Sequence, residues 1–453
     1  AALAAGPPAG DGAPRAPAGA AADWAAYRAA AESLARHVAA LAAGRDTITI
    51  DFPPLTPSTE IRRRLGERQF ILSFHATGRG LTGVLESRDR FTLWEVRQAP
   101  ALPAEIARLA RGLCLFDPLG PVGTDKLLAS DWGESAKKIE RILFENSRIS
   151  LADGVDELVI VPDGWLWYVP FEILPVSSAR ADAAAGHRPL GEACRVRYCP
   201  TRSLAVDAFA VPRMTGPIGI HAGRVARGDD AAAIEALRGR LTGAIDRERC
   251  VAIPPGAAPL GLAASIYDAL AVFDESTAAV LVPPAAGKGG LAFAEWLAPP
   301  AKRPRVVLVP GLQTAMADGL KEKSLPQRPG DDLFLPATDL LAAGARTAVL
   351  SRWRVGGGTC ADLMTEFVRE AAAPPADPPE SAAALWRRAV DLATAGRPDP
   401  QREPRLRQHG DDLLSDARHP FLWAGYALID CGPGKVPPEQ PAAPAAKPPA
   451  AGP

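Results

Sequence analysis

The chain has 453 residues, of which 47% are hydrophobic, so it can bury a large core and is not an intrinsically disordered protein. Its 51 Lys and Arg residues nearly balance its 52 Asp and Glu residues, which disfavours partners that bind by strong electrostatics, such as nucleic acid and anionic membranes. The sequence has no apolar run long enough to span a membrane, and its Pro- and Gly-broken start lacks the apolar stretch of a signal peptide. We therefore expect a cytoplasmic protein that binds neither nucleic acid nor membrane.

The six cysteines show neither the C-x-x-C pairs of a zinc site nor the density of a disulfide scaffold. We interpret them as buried thiols in a reducing compartment, and we expect neither a metal nor a cofactor. The first residue is Ala rather than Met, which indicates a trimmed chain or one piece of a longer polypeptide.

Both ends of the chain are rich in Ala and Pro, a composition that favours extended linkers because it offers few side chains for a core. We expect a disordered segment at 1–21 and a tail or linker at 433–453. Residues 22–45 place large apolar side chains at helical spacing and end near Gly44, a typical C-cap residue, so they predict a helix.

Three β-rich runs come next, at 69–74, 81–87 and 91–96, joined by short polar turns. They predict a meander of adjacent strands. Residues 103–115 and 133–148 then read as amphipathic helices.

From residue 156 the pattern becomes that of a largely parallel sheet, because apolar strands alternate with helices of about ten residues. The predicted strands lie at 156–164, 217–223, 250–254, 269–274, 278–284, 305–311 and 347–353. The predicted helices lie at 229–243, 259–268, 291–297, 336–344 and 359–372. In such sheets the chemistry sits at the carboxyl ends of the strands. Those ends are His221-Ala-Gly, Asp274-Glu275-Ser276, Pro310-Gly311-Leu312-Gln313 and Trp353-Arg354-Val355.

Four segments, in this order, resemble the CHAT family of bacterial cysteine peptidases. They are VIVPDGWLWYVPFEILP (159–175), RYCPTRSLA (197–205), DDLFLPATDLLAAGARTAVLSRWRVGGGTCADLMTEFVREA (331–371) and RHPFLWAGYALIDCG (418–432). The first resembles the family's valine-rich strand, Pro-Asp-Gly and aromatic hairpin, and the last resembles its closing His-Pro-aromatic stretch.

The resemblance implies a caspase-like α/β/α sandwich with a mostly parallel sheet, preceded by a β-meander. In this interpretation residues 46–150 form an N-terminal pseudo-half that packs against a CHAT-like half at 151–432. The aromatic residues of the four segments are then core or cleft-wall residues, because they supply large apolar area. They are Trp165, Trp167, Tyr168, Phe171, Trp353 and Trp423.

The resemblance also implies a catalytic His and Cys at the ends of two neighbouring strands, but neither residue is present. Glu275 stands at the position of the His and Leu312 at the position of the Cys. Leucine has no lone pair with which to attack a carbonyl. Pro310 and Ala315 replace the Ser and Gly that flank the nucleophile, and Pro310 removes a backbone N–H that an oxyanion could use. We therefore predict no catalytic residue.

Other polar residues are candidates for the lining of the vacated cleft. They are His221, Arg224, Asp274, Gln313, Asp331, Asp332 and Trp353. His221 with Arg224 would suit an anionic or carbonyl group. Asp331 and Asp332 either border a pocket for a basic side chain or simply begin a helix, a place that suits Asp electrostatically. We expect Glu275 to be accessible or paired with Arg224 or Arg354, because a buried unpaired carboxylate is costly.

The sequence leaves three functions open. The first is a catalytically inactive pseudo-peptidase that holds another protein as a scaffold or regulatory subunit; the family's company implies a bacterial defence or signalling assembly, by analogy only. The second is an active cysteine peptidase with relocated catalytic residues, for which Cys360 at a helix start is the candidate thiol. The third is a small-ligand sensor in which Glu275, Gln313 and His221 line the cleft.

Overall fold

The computed structural model of the chain describes residues 56–78, 80–116, 120–147, 149–151, 154–176, 188–206, 216–223, 231–244, 249–253, 267–273, 276–277, 291–292, 304–342, 345–373, 380–410 and 414–431. These residues all belong to one compact unit. The helix predicted at 22–45, the strand predicted at 278–284 and both terminal segments lie outside the described residues, as does most of the helix predicted at 259–268.

The strands alternate with helices as the sequence pattern predicts. In chain order the strands are β1 (Gln69–Thr77), β2 (Gly80–Glu86), β3 (Phe91–Val96), β4 (Val122–Gly123), β5 (Glu157–Val161), β6 (Pro175–Val176), β7 (Arg188–Pro189), β8 (Arg195–Tyr198), β9 (Ile218–Ala222), β10 (Cys250–Ile253), β11 (Ala269–Phe273), β12 (Ser276–Thr277), β13 (Leu291–Ala292), β14 (Val306–Val309), β15 (Leu312–Gln313), β16 (Thr347–Ser351), β17 (Leu406–Arg407) and β18 (Tyr426–Asp430).

The helices of the described residues cover both faces of the sheet. In chain order they are α1 (Ser58–Arg64), α2 (Leu102–Gly112), α3 (Thr124–Leu128), α4 (Trp132–Phe144), α5 (Leu190–Ala193), α6 (Ala231–Ala244), α7 (Asp331–Ala342), α8 (Gly357–Ala372), α9 (Ala382–Ala395) and α10 (Pro420–Trp423).

Eleven strands form the main sheet, in the order β10-β9-β11-β14-β16-β18-β8-β5-β1-β2-β3. Strands β10, β9, β11, β14 and β16 are parallel to one another, and so are β18, β8, β5 and β1. The two blocks meet antiparallel, with Thr347 of β16 opposite Asp430 of β18. The carboxyl ends of the first block therefore share one edge with the amino ends of the second. We call this the carboxyl edge, after the ends of β9, β11, β14 and β16.

The predicted meander is confirmed, since β1, β2 and β3 pair antiparallel in sequence order. β1 also pairs in parallel with β5, so strands from both sides of residue 150 share one sheet. The division into halves at that residue stays a prediction.

Side chains that alternate along the strands form separate cores on the two faces. Leu350 of β16 belongs to the larger cluster with residues of α2, α4 and α7, whereas its neighbour Val349 belongs to a second cluster with residues of α6, α8 and α9. Because successive strand residues point to opposite faces, the two clusters lie on opposite sides of the sheet. The predicted α/β class with a mostly parallel sheet between helices is confirmed.

A buried ion pair lies at the middle of the sheet, on β5 and β8. The Arg197 Nε donates to Glu157 Oε1 at 3.0 Å, and Gln69 Nε2 donates to the same oxygen at 2.8 Å. Ser381, the N-cap of α9, donates its hydroxyl to Glu157 Oε2 at 2.7 Å. Burial alone would raise the pKa of Glu157, but Arg197 and these hydrogen bonds outweigh it and lower the pKa.

Three local expectations differ from the structure. The aromatic segment after β5 is not a hairpin but two 3₁₀ turns, Gly164–Tyr168 and Phe171–Ile173. Leu291 and Ala292, expected to open a helix, form β13, because they pair with Ser276 and Thr277. The fourteen-residue helix α9 was not predicted. Within the described ranges no helix is both long and apolar enough to cross a membrane.

Candidate functional site

Leu312, which the resemblance places at the position of the catalytic Cys, lies at the carboxyl edge. After β14 the chain turns at Pro310-Gly311 into β15, where Leu312 pairs with Ser276 of β12. Glu275 immediately precedes Ser276, but Glu275, Asp274 and Arg224 lie outside the described residues. The pairing of Ser276 with Leu312 is therefore described, whereas the assignment of positions 275 and 312 to one former catalytic site stays a prediction.

Leu312 is part of the core. Its side chain has 0% exposure and belongs to the larger hydrophobic cluster. Its carbonyl accepts a hydrogen bond from Ser351 Oγ at 2.9 Å, and Thr314 Oγ1 donates to the carbonyl of Arg352. The β15 segment is thus attached to the end of β16, and Leu312 contributes a packed apolar side chain there. Gln313, the next residue, is exposed.

Asp332, at the start of α7, holds the same segment from the other side. Its Oδ2 accepts from the backbone N–H of Ala315 at 2.8 Å, and its Oδ1 accepts from the Tyr168 hydroxyl at 2.9 Å. The Tyr168 oxygen in turn accepts from the N–H of Gly330 at 2.9 Å. Burial raises the pKa of Asp332, opposed by these hydrogen bonds. Burial also raises the pKa of Tyr168, and the charge of Asp332 adds to the effect. Asp332 therefore fixes the position of a loop, while its neighbour Asp331 is half-buried.

The two tryptophans of the family-like segments differ in their environment. Trp353, considered for the cleft lining, is fully buried, and its Nε1 donates to the carbonyl of Phe421 at 3.0 Å. Trp423 is half-buried and donates to the carbonyl of Arg418 at 2.9 Å. Trp353 is a core residue, and Trp423 forms part of a cavity wall.

None of the cysteines has the exposure and the lowered pKa of an activated nucleophile in the part of the chain that the structure describes. Five of the six are buried, including Cys360 at 1% exposure in the first turn of α8. Burial raises the pKa of Cys114 and that of Cys194, the latter to about 12. Cys250 is half-buried. It pairs with Ile218 of β9, which is three residues before His221. His221 itself is buried at 2% exposure and pairs with Val272 of β11.

The described residues include no group of three or more His, Cys, Asp or Glu side chains that could hold a metal ion.

Glu403, which was not predicted as a site residue, contacts the first turn of α8. Its Oε1 accepts from the backbone N–H of Thr359 at 2.6 Å and from the hydroxyl of Thr359 at 2.7 Å. Its Oε2 is buried and has no hydrogen-bond partner among the described residues. Burial raises the pKa of Glu403 to about 7, against the opposing effect of the Thr359 hydrogen bonds. The backbone at Gly357 approaches Glu403 closely and has a φ of 72°, which suits glycine.

A cavity of about 450 Å³ opens at the amino ends of β8 and β18, on the same edge of the sheet. Its walls include Trp132 of α4, Trp386 of α9 and Trp423 of α10, and Glu172 also lines it. None of the residues considered for the vacated cleft belongs to this lining.

The model of the CHAT domain family matches residues 133–226 and 317–430. Two crystal structures of the Saccharomyces cerevisiae separase–securin complex resemble this chain at 8% identity, with TM-scores of 0.44 and 0.42. Each alignment covers 82% of this chain but 31% of the matched chain. No curated protein sequence matches the chain.

Proposed function

Since the chain carries a CHAT domain, we propose that it is a catalytically inactive CHAT-like pseudo-peptidase, which acts as a protein-binding scaffold or regulatory subunit. The observation that supports this most directly is Leu312, which occupies the position of the family's nucleophile with 0% exposure. A thiolate at that position would need access to a substrate carbonyl, whereas the leucine side chain packs into the core.

The surroundings of Leu312 support the same proposal. Pro310 offers no N–H, and the N–H of Ala315 is already donated to Asp332. Backbone donors aimed at a developing oxyanion contribute strongly to acyl transfer, so their loss removes a second part of the catalytic apparatus. The family match is also interrupted between 226 and 317, the interval that contains both Glu275 and Leu312.

The relocated-nucleophile alternative gains nothing from the structure. Cys360 lies at a helix start, as that alternative requires, but it is almost completely buried within the core beside α9. A reactive thiol needs exposure and a lowered pKa. The sensor alternative at the vacated cleft is also weakened, because Leu312 fills that place.

An exposed strand supports the binding of a protein partner. β3 lies at one end of the main sheet, and its Phe91 and Leu93 side chains are 49% and 62% exposed. Trp94 and Val96 of the same strand are buried. The indole N–H of Trp94 donates to the carbonyl of Leu143 at 2.7 Å and so fixes the strand on α4. A rigid edge strand with alternating exposed apolar residues suits an extended segment of a partner that adds a strand to the sheet.

A peptide-cleavage assay tests the loss of catalysis. We expect no turnover of a library of Arg- and Lys-containing peptides and no labelling of residue 312 by thiol-directed peptidase inhibitors. Cleavage that disappears in a Cys360→Ala variant would instead support the relocated nucleophile.

Selection of extended peptides from a displayed random library tests the scaffold role. We expect the selected peptides to protect the backbone amides of β3 from hydrogen exchange and to lose binding to Leu93→Lys. Leu335→Lys is the matched control, because Leu335 is also exposed, at 39%, but lies on α7. Peptides that bind both variants equally well would argue against β3 as the docking strand.

A further inference from the structure

We propose that the tryptophan-lined cavity at the amino ends of β8 and β18 is a binding site for a small organic amine, held as its ammonium cation between the indole rings and the carboxylate of Glu172. The site is separate from Leu312, because the lining of the cavity includes neither Leu312 nor any other residue of β15. The inference therefore does not depend on the loss of catalysis.

The cavity has the size and the walls of a small-molecule site. Its volume of about 450 Å³ lies in the range of roughly 300–1,000 Å³ that holds metabolite-sized ligands. Trp132, Trp386 and Trp423 come from three different helices and supply large aromatic surface. Trp386 is 4% exposed and packs edge-on against Phe367 with ring centroids 5.4 Å apart, so this wall is rigid. A preformed aromatic wall favours binding because little ordering is required.

Glu172 gives the cavity its charge. Of the charged residues in the described lining, Glu172 alone is buried, at 6% exposure. The Tyr198 hydroxyl donates to its Oε2 at 2.7 Å, and the guanidinium of Arg352 lies 4.5 Å from the Tyr198 ring centre. Burial raises the pKa of Glu172, and Arg352 opposes this effect. The Tyr198 hydroxyl thus fixes the carboxyl group of Glu172, and a cation in the cavity would favour its ionised form.

The other charged residues of the lining lie near solvent and are screened there. Arg387 is occupied, since its Nη2 donates to the carbonyl of Glu192 at 3.0 Å and its Nε lies 3.7 Å from Asp391 Oδ2. The Asp391 side chain is 69% exposed, and Glu192 and Arg418 are exposed. Indole faces attract cations, and a buried carboxylate repels anions. The combination selects an ammonium group on an apolar body over a carboxylate or phosphate of the same shape.

Calorimetry with three probes of one shape tests the charge preference. Phenethylamine, 2-phenylethanol and 3-phenylpropionate differ in being cationic, neutral and anionic. We expect phenethylamine to bind at least tenfold more tightly than either of the others, which corresponds to about 1.4 kcal/mol. Equal or tighter binding of the anion, or no binding of phenethylamine, would overturn the proposal.

The location of binding has a readout that needs no variant. In the unaltered protein we expect phenethylamine to shift the indole N–H resonances of Trp132, Trp386 and Trp423 and to leave that of Trp94 in place, since Trp94 lies at β3. Shifts at Trp94 alone would place the probe elsewhere and refute the assignment.

Two variants and one control complete the test. Glu172→Gln retains the shape of the site, so we expect about a tenfold loss of phenethylamine affinity without a loss for 2-phenylethanol. Val390→Phe replaces the small valine side chain of the cavity wall by a phenyl ring. This should fill the cavity and abolish binding of every probe. Leu392→Phe makes the same kind of change at an exposed position of α9 and should have no effect. Unchanged binding in Val390→Phe would exclude this cavity.

Discussion

Two buried carboxylates, Glu157 in the sheet and Glu403 beside the start of α8, have opposite surroundings. Glu157 has both oxygens satisfied, by Arg197, Gln69 and Ser381. Glu403 is as deeply buried, at 1% against 4% exposure, but one of its oxygens has no partner among the described residues. The difference shows that the charge of Glu157 within the sheet is compensated by its partners, whereas Glu403 beside α8 is incompletely satisfied.

The pKa directions follow from this difference and give the two groups opposite effects on stability. Glu157 has a lowered pKa, so its contribution is complete above the ordinary value of about 4.3 and is lost as the pH falls through its folded pKa. Glu403 has a raised pKa, so the folded protein is favoured at low pH and loses stability as the pH rises towards 7.

The largest effect is expected when the ion pair at the centre of the sheet is broken. Arg197→Met removes the charge facing Glu157 and two further hydrogen bonds, to the carbonyls of Asp430 and Ala205. Removing one partner of a buried pair leaves an uncompensated charge, so we expect a loss of about 3–5 kcal/mol in the free energy of unfolding. Urea denaturation at pH 7 measures it. The double variant Glu157→Gln/Arg197→Met should lose less than the sum of the two single variants, and strict additivity would show that the two charges do not interact.

A smaller loss, on the order of 3 kcal/mol, is expected for Trp353→Ala, because this fully buried ring at the end of β16 leaves a cavity. Since Trp423 is half-buried, we expect about half of that value for Trp423→Ala. Thermal unfolding of both variants compares them. A larger loss for Trp423→Ala would mean that the cavity it lines is closed in solution.

Much of the fold could be predicted because the sequence pattern is local. Val306–Val309 is a continuous apolar run, and such runs alternating with helices predict a parallel sheet. The antiparallel contact between β16 and β18 could not be predicted, because pairing across a long connection leaves no local signal. Helix α9 was not predicted, although Ser381 caps it.

The site was predicted less completely than the fold. The adjacency of positions 275 and 312 followed from the resemblance, and the pairing of Ser276 with Leu312 agrees with it. The roles of Asp332 and Glu403 depend on contacts with Tyr168 and Thr359, which are distant in the sequence. A buried partner of that kind cannot be recognised from composition or spacing. The cavity was also not foreseen, because its tryptophans come from three separate helices.

The pH dependence of stability tests the other side of the comparison, at Glu403. A rise of its pKa from 4.5 to about 7 corresponds to about 3 kcal/mol. Between those pH values the unfolded chain releases a proton that the folded protein retains, so stability decreases as the pH rises. Asp362 raises the pKa further and Arg240 opposes it, so both charges belong to the same effect.

Glu403→Gln should remove this decrease. Between pH 4.5 and 7 we expect the free energy of unfolding of the variant to rise, relative to that of the unaltered protein, by up to about 3 kcal/mol. Urea denaturation at several pH values measures this. Glu95→Gln, at an exposed position of β3, is the control and should follow the unaltered protein. A constant difference between Glu403→Gln and the unaltered protein over this range would mean that Glu403 is ionised throughout.

The smallest effect is expected from restoring the family's catalytic pair with Glu275→His and Leu312→Cys. Leu312 lies in β15 and is fully buried. The shorter side chain should therefore cost about 1–2 kcal/mol and leave the protein folded. No peptidase activity should appear, because burial disfavours the thiolate, Pro310 supplies no N–H and Asp332 occupies that of Ala315. Cleavage of Arg peptides by the double variant, lost when the new thiol is alkylated, would show that the carboxyl edge still admits a substrate. The leucine side chain alone would then account for the tight packing at position 312. The incompletely hydrogen-bonded Glu403 beside α8 would be a remnant of a working site.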